Sequence, residues 1–311
     1  MNDLEIIITE PSEGYSLIDS GDGEKLEKWG NVLVRRPDPQ SLWKKRLDDG
    51  EWKKASAVFS RSEADAKWVS DKDVPDSWNI SFDDMKLKIK LTAFKHTGLF
   101  PEQIKNWEWM REVICGKTRG KAVDNMGESS PENEGFEVLN LFGYTGGASL
   151  SASLAGAKVV HVDSSKSAVA WARENAELSG LKDNPIRWIL EDARLFVERE
   201  IKRGRKYDGI ILDPPAFGHG ANNEIWKIEE DFMPLIENCI SLLKPDPSFF
   251  ILNGYSAGYS ALAYKNNLLP LVLKFGGEIG MGELAIRELE TEKGKNDGRL
   301  LPCGIFARWK K

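Results

Sequence analysis

Cysteine and histidine are scarce in this 311-residue chain, with three of each. Cys115, Cys239 and Cys303 lie far apart without Cys-x-x-Cys spacing, and His96, His161 and His219 have no metal-ligand spacing. Neither a disulfide framework nor a metal site is expected. Long apolar runs are missing too. The run Ile6 to Ile8 falls far short of a signal-peptide core or of the roughly 20 residues that a spanning helix needs, so the expectation is a cytoplasmic protein with no membrane partner. Positive charge is not in excess either: 43 basic against 49 acidic residues give a net charge of −6. Bulk attraction to nucleic acid is thereby excluded, and any such contact has to be a local patch. There is no internal repeat and no low-complexity tract.

What is present is a composition that builds a core, 41% hydrophobic and 30% charged. From about residue 136 onwards, apolar runs alternate with amphipathic stretches, the pattern of a parallel α/β sheet. The strands read Val138–Phe142, Val159–Asp163, Ile186–Leu190, Gly209–Asp213 and Phe249–Asn253. The helices between and after them read Ala148–Ala155, Ser167–Ser179, Ala193–Arg203, Glu229–Leu243 and Ala261–Phe275. Two strands, Glu278–Glu288 and Leu300–Trp309, then follow directly around the polar turn Glu292–Gly298, which predicts a closing antiparallel hairpin.

The front reads differently. Short β-type runs (Asn31–Val34, Ala57–Phe59, Met85–Leu91) are broken by Asp, Pro and Gly turns, and seven of the 11 tryptophans fall before Met110. The expected organisation is a small β-rich domain over 1–94, a connecting helical segment and loop over 95–135 with an acidic exposed stretch Gly127–Gly135, and an α/β domain over 136–311. The tryptophans read first as core and domain-interface packing, with base stacking by one or two of them as the alternative.

One strand runs straight into a glycine turn and a helix: Asn140-Leu141-Phe142-Gly143-Tyr144-Thr145-Gly146-Gly147-Ala148. Gly143 and Gly146 are expected to adopt positive φ and let the backbone approach a ligand, with free N–H groups at the helix start. Asp163 ends the second strand, where a carboxylate can accept both ribose hydroxyls. Asp192 ends the third, facing the position of an adenine edge. The turn lacks the glycine two residues after Gly143 that the dinucleotide fingerprint requires, which disfavours a nicotinamide cofactor. The fourth strand ends in Asp213-Pro214-Pro215-Ala216-Phe217. Two prolines stiffen that loop and leave an acceptor-rich lip that can grip a planar, donor-bearing substrate. Gly116-Lys-Thr-Arg-Gly120-Lys121-Ala122 has one spacer too few for a phosphate loop and Ala in place of Ser or Thr, so an ATPase is rejected.

These motifs carry a resemblance. The stretch from about Lys95 to Phe217 resembles class I S-adenosylmethionine-dependent methyltransferases, and within them the ribosomal RNA large-subunit group related to cytosine-C5 enzymes. It rests on His96-Thr97-Gly98-Leu99-Phe100-Pro101-Glu102-Gln103, Leu139 to Gly147, Val162-Asp163-Ser164, Asn175 and Asp213-Pro214-Pro215-Ala216-Phe217. The resemblance implies a Rossmann-like, seven-stranded sheet with a terminal antiparallel hairpin and S-adenosyl-L-methionine as cofactor. It further implies that Phe142, Gly143, Tyr144, Thr145, Gly146 and Gly147 surround the methionine part. Asp163 would hold the ribose and Asp192 with Ala193 would meet the adenine, while Ser164, Asn175 and Asp213 would also serve the cofactor. Thr97, Phe100 and Gln103 belong to a segment that closes over the cofactor in that group.

Two features depart from it. The front 90 residues do not match the PUA domain common among relatives, and Phe250-Ile-Leu-Asn253-Gly254-Tyr255-Ser256 lacks the cysteine that follows the fifth strand in cytosine-C5 enzymes. C5 methylation needs a thiolate that adds at C6. The expected reaction is therefore methyl transfer by alignment, with Asp213, Pro214 and Phe217 as catalytic candidates holding an exocyclic amine or ring nitrogen of a (ribosomal) RNA base. Independent support for RNA is a basic, tryptophan-rich stretch from Lys25 to Arg61 containing Arg35, Arg36, Lys44, Lys45, Arg46, Lys53 and Lys54, which reads either as a surface that contacts phosphates and stacks bases or as a solvated basic face. A methyltransferase for a small molecule or protein, and a non-catalytic RNA-binding protein that keeps the cofactor pocket, remain the alternatives. Oligomeric state is not fixed by any of these features. His161 reads as a core histidine, and His219 as a candidate substrate contact.

Overall fold

The computed structural model describes residues 4–61, 66–93, 95–124, 135–220, 224–255, 258–290 and 298–311. The chain divides into two compact units. One comprises Met1–Ile6, Lys105–Glu283 and Gly304–Lys311, and the other Ile7–Ile104 and Leu284–Cys303.

The first unit is built on a sheet whose strands lie in the order Glu5–Thr9, Glu278–Arg287, Leu300–Lys310, Phe249–Gly254, Gly209–Leu212, Glu137–Leu141, Lys158–Asp163 and Ile186–Leu190. The last five are parallel neighbours, and Leu300–Lys310 runs antiparallel to Phe249–Gly254. The Rossmann-like α/β class read from the sequence is what forms. The seven-stranded count is corrected to eight, because Glu5–Thr9 adds itself beyond Glu278–Arg287 at the edge. The inner parallel strands are buried on both faces, as in Gly209–Leu212 with all four residues buried and Phe249–Gly254 with all six, which is why they read as unbroken apolar runs.

The crossover helices begin where side chains cap them. Ser165 accepts from the N–H of Ala168 at the start of Lys166–Leu178, Asp192 from those of Arg194 and Leu195 at Ala193–Lys202, and Ser260 from that of Ala263 at Ala261–Phe275. Gly276, with φ 76°, ends the last of these. A core of Leu139, Leu141, Val160, Val162, Ile210, Leu212, Phe250 and Leu252 packs one face of the sheet against Phe196, Phe232, Leu235 and Leu268. Met110 and Ile114 of helix Ile104–Asp124 join Val138, Val159, Ile211 and Phe249 on another cluster. In strand order the third, second and first are followed by the fourth and fifth, so direction reverses between Glu137–Leu141 and Gly209–Leu212. That is the switch point at which open α/β sheets bind ligands.

The second unit holds a five-stranded sheet in the order Tyr15–Gly21, Glu24–Trp29, Val32–Pro37, Ala57–Arg61 and Ala66–Ser70, and a hairpin of Ser77–Phe82 with Met85–Lys90. Trp29 and Trp52 are core, and the indole N–H groups of Trp43, Trp52, Trp68 and Trp78 all bond within the unit. The basic stretch is largely neutralised: Arg35 and Lys45 pair with Glu24, Arg36 with Glu27, Lys44 with Asp22 and Lys54 with Glu51. The expected phosphate-facing stretch is thus mostly an internally paired surface. Leu284–Cys303 completes this unit, with Glu288 fully buried and accepting from Ser20 and Arg299. Most of the loop Gly127–Gly135 and of the turn Glu292–Gly298 lies outside the described residues. No described helix is long and apolar enough to cross a membrane.

Candidate functional site

Three strand ends converge at the switch point. After Glu137–Leu141 the chain turns through Phe142 (φ 57°), Gly143, Tyr144 (φ 48°) and Gly146 (φ 95°). The positive φ expected at Gly143 is corrected: its two bulky neighbours take the left-handed conformation instead. Gly143 is required by packing, since a Cβ there would lie 2.4 Å from Cε1 of the His161 ring. Gly147 is constrained likewise, with Trp107 ring atoms 2.5 Å from a Cβ position. At Gly146 a Cβ would meet that of Ala172 at 3.0 Å, in addition to its positive φ. The turn is therefore held from beneath by side chains. Its backbone is tied by the Gly143 N–H to the Val162 carbonyl at 3.0 Å and by Asn175 Nδ2, which donates to the Thr145 carbonyl at 2.9 Å. Asn175 is placed as a support of the turn.

His161 is fully buried below it. Its Nδ1 lies 2.9 Å from Ser149 Oγ, which accepts from Asn140 Nδ2 at 2.9 Å, while its Nε2 has no partner among the described residues. Burial lowers its pKa to about 3, so the ring is neutral. It is a core histidine as read, satisfied at one nitrogen.

Asp163 ends the second strand. Its Oδ2 accepts the Tyr144 N–H and its Oδ1 the Ser165 N–H, each at 2.8 Å. Each oxygen keeps a lone pair for a further donor. Burial raises its pKa against the pull of the two amides, so a donor-rich ligand finds a partly desolvated carboxylate there. Asp192 caps the next helix with Oδ1 and meets Arg194 through both oxygens, at 3.1 Å from Nε and 2.9 Å from Nη2. Burial acts to raise its pKa, but Arg194 outweighs it and keeps the carboxyl below its ordinary range.

Between these ends lies a recess of about 350 Å³, counting its open mouth. It is lined by Asp163, Ser164, Asp192, Ala193, Phe142 and Trp226, among others. Five of these were expected. Trp226 was not, nor were Val162, Glu191, Pro215, Gly218 and Gly220, which also line it. Tyr144, Thr145, Gly146 and Gly147 form the adjoining turn rather than the recess wall.

Asp213, Pro214 and Phe217 follow the fourth strand beside it. Pro214 is buried, and Phe217 is 55% exposed on the short strand Phe217–His219, paired antiparallel with Ile225–Lys227. The lip of free carbonyls is corrected in part: the Pro215 carbonyl accepts the Trp226 indole N–H at 2.6 Å. Tyr264 lies near, with a buried hydroxyl that has no hydrogen-bond partner among the described residues and a pKa pushed up to about 12 by burial and then by Asp213. The His219 side chain is outside what the structure describes.

Thr97, Phe100 and Gln103 belong to the other unit, where Thr97 and Gln103 are buried and Phe100 packs on His96 at 5.3 Å. Cys239 is fully buried, and desolvation drives its thiol far up; Cys303 is driven up in the same way. Among the described residues no group of three or more His, Cys, Asp or Glu side chains is arranged to hold a metal ion.

A family model described as S-adenosylmethionine-dependent methyltransferase matches residues 56–253. The crystal structure of an S-adenosylmethionine-dependent methyltransferase from Agrobacterium tumefaciens is 38% identical, with a TM-score of 0.87 over 98% of this chain and 93% of that one. Ribosomal RNA large subunit methyltransferase K/L from Shewanella frigidimarina is 31% identical over 54% of this chain, and the protein of that name from Pseudoalteromonas atlantica is 32% identical over the same share. The matched region spans about a fifth of those two relatives, 21% of each.

Proposed function

From the premise that the chain belongs to the S-adenosylmethionine-dependent methyltransferases, we propose that it methylates a nitrogen of an RNA base, ribosomal RNA being the expected class. The observation that carries the cofactor side is the pair of carboxylates, Asp163 and Asp192, at successive strand ends of one apolar-walled recess. Their chemistry fits an adenosyl group. Asp163 retains acceptor capacity on both oxygens for ribose hydroxyls, and Asp192 has a lone pair on Oδ2 for an adenine amine beside the N–H of Ala193. Phe142 and Trp226 supply the apolar walls, and the turn Gly143–Gly147 is the assigned place of the methionine part.

When bound, the cofactor supplies an electrophilic methyl group on a sulfonium. The protein has to align a nucleophile and exclude water. Asp213 is assigned to accept a hydrogen bond from the acceptor amine, Pro214 to fix that carboxylate's loop, and Phe217 to pack on the base. A nitrogen acceptor brings its own lone pair and needs no thiolate. That agrees with Cys239 being sealed in the core and with the absence of cysteine from the fifth strand end. Support for RNA is the similarity of the matched region to ribosomal RNA methyltransferases.

The test is transfer of labelled methyl from S-adenosylmethionine to RNA, protein and metabolite fractions of a strain lacking the gene. Label in RNA, released as an N-methylated nucleoside on digestion, is the expected result. Label confined to protein or metabolites overturns the RNA assignment, and a C5-methylated pyrimidine overturns the assignment to nitrogen.

A further inference from the structure

The hairpin after Asp213-Pro214-Pro215 has two unlike faces. In its register Gly218 lies opposite Trp226, and Phe217 opposite Lys227. Gly218 and Trp226 line the recess, whereas Phe217 and Ile225 are 55% and 51% exposed. One ribbon thus forms the wall of the cofactor recess on its inner side and presents the exposed side chains of Phe217 and Ile225 on its outer side, next to the assigned acceptor position.

Its inner side is bolted to the adenine end by one residue. Arg194 spends its planar fork on three elements: Nε and Nη2 hold Asp192, and Nη1 holds both the Ile225 carbonyl at 3.0 Å and Asp231 at 2.8 Å in the first turn of Ile228–Ser241. Its guanidinium carbon lies 5.8 Å from the centre of the Trp226 ring. Trp226 in turn packs edge-on against Phe142 at 5.1 Å and fixes the Pro215 carbonyl. A continuous chain of directed contacts therefore runs from Asp192 through Arg194 and Trp226 to the Pro-Pro loop.

We propose that Arg194 and Trp226 are positioning residues that make this hairpin a latch, so that filling the adenine end of the recess sets the order of the acceptor loop. The inference rests on the cofactor reading above. Ligand contact with Asp192, Phe142 and Trp226 restricts groups that already hold Ile225 and Pro215, and the restriction is passed on because each link is a directed hydrogen bond or ring contact and not a flexible tether. The acceptor then meets a loop in which Asp213, Pro214 and Phe217 are preorganised, and its apparent affinity depends on cofactor occupancy.

Amide hydrogen exchange across Ala216–Gly220 and Glu224–Ile228, with and without saturating S-adenosylhomocysteine, tests this without any acceptor. Calorimetry measures affinity for the same ligand in parallel. Trp226→Phe keeps the ring and removes the N–H, while Arg194→Lys keeps the charge and loses the fork. In the wild type the ligand is expected to slow hairpin exchange by roughly fivefold or more, the equivalent of one ordered hydrogen bond. Both variants are expected to bind the ligand and to lose that protection. Equal protection in variants and wild type overturns the latch, as does binding without protection in the wild type. Variants that lose binding altogether show that these side chains act through cofactor affinity and not through the order of the hairpin, and overturn it too. A wild type that binds no S-adenosylhomocysteine overturns the cofactor reading first and the latch with it. Should Arg194→Lys fail to fold, Trp226→Phe decides alone.

Discussion

At the scale of single residues, the site depends on oxygens with unspent lone pairs. Asp163 is the clearest case, since each of its oxygens holds one backbone amide. Asp163→Asn swaps one acceptor for a donor that faces an amide donor. We expect the fold to persist and affinity for S-adenosylhomocysteine to drop by roughly 10- to 100-fold, the value of a hydrogen bond to a charged group. Isothermal calorimetry reads it, and unchanged affinity removes Asp163 from the ribose. Gly143 answers to a different constraint. Gly143→Ala drives a methyl group into the His161 ring, 2.4 Å away, and overpacking of this kind costs about 1–3 kcal/mol. A lowered urea midpoint is the expected outcome, and a midpoint equal to wild type contradicts the tight packing.

At the scale of elements, local preference and tertiary contact oppose each other at the helix Gly147–Leu154. Alanine is a better helix former than glycine by about 1 kcal/mol, which favours Gly147→Ala. Trp107 ring carbons 2.5 Å and 2.6 Å from the new Cβ act the other way, and Trp107 is itself buried. Packing is the larger effect, so the thermal midpoint is expected to fall, and a rise in differential scanning calorimetry shows that the indole yields. The same opposition explains which motif residues were legible. Strand, turn and helix order followed from apolar runs and caps: Ile186–Leu190 and Ala261–Phe275 match their expected limits to the residue. What the glycines were for did not follow, because the side chains under Gly143 and Gly147 come from positions 161 and 107.

For the whole molecule, charge burial governs acid stability. In the second unit Glu27 is fully buried, bonded by Arg36 through both carboxylate oxygens and by the Tyr15 hydroxyl at 2.8 Å. Burial alone would raise its pKa, but the Arg36 and Lys25 charges outweigh that and bring it down to about 2. Its contribution to stability is thus complete above the ordinary carboxylate range near 4.5 and is lost as pH falls towards 2. His161 and His96 act in a higher window. Their folded values near 3 and 4 lie below the ordinary 6.5, so the unfolded chain binds protons first and stability declines as pH drops below 6.5. Urea midpoints are expected to fall steadily from pH 7 to pH 4.5 and more steeply below it, whereas a midpoint that rises on acidification contradicts both assignments. Arg36→Met, which strands Glu27, is expected to cost about 3–5 kcal/mol in the same measurement.

The sequence by itself determined the parallel α/β order, the closing hairpin, and three acids in step at strand ends. All of these are written in short-range periodicity and spacing, and neighbouring residues along the chain suffice to impose them. Only the tertiary structure decided the rest: the extra edge strand Glu5–Thr9, the return of Leu284–Cys303 to the front unit, the internal pairing of the basic stretch, and the link from Arg194 to Trp226. Each of these joins residues from separate segments, and the energy that selects them comes from burial and directed contact across the fold, which no local pattern records.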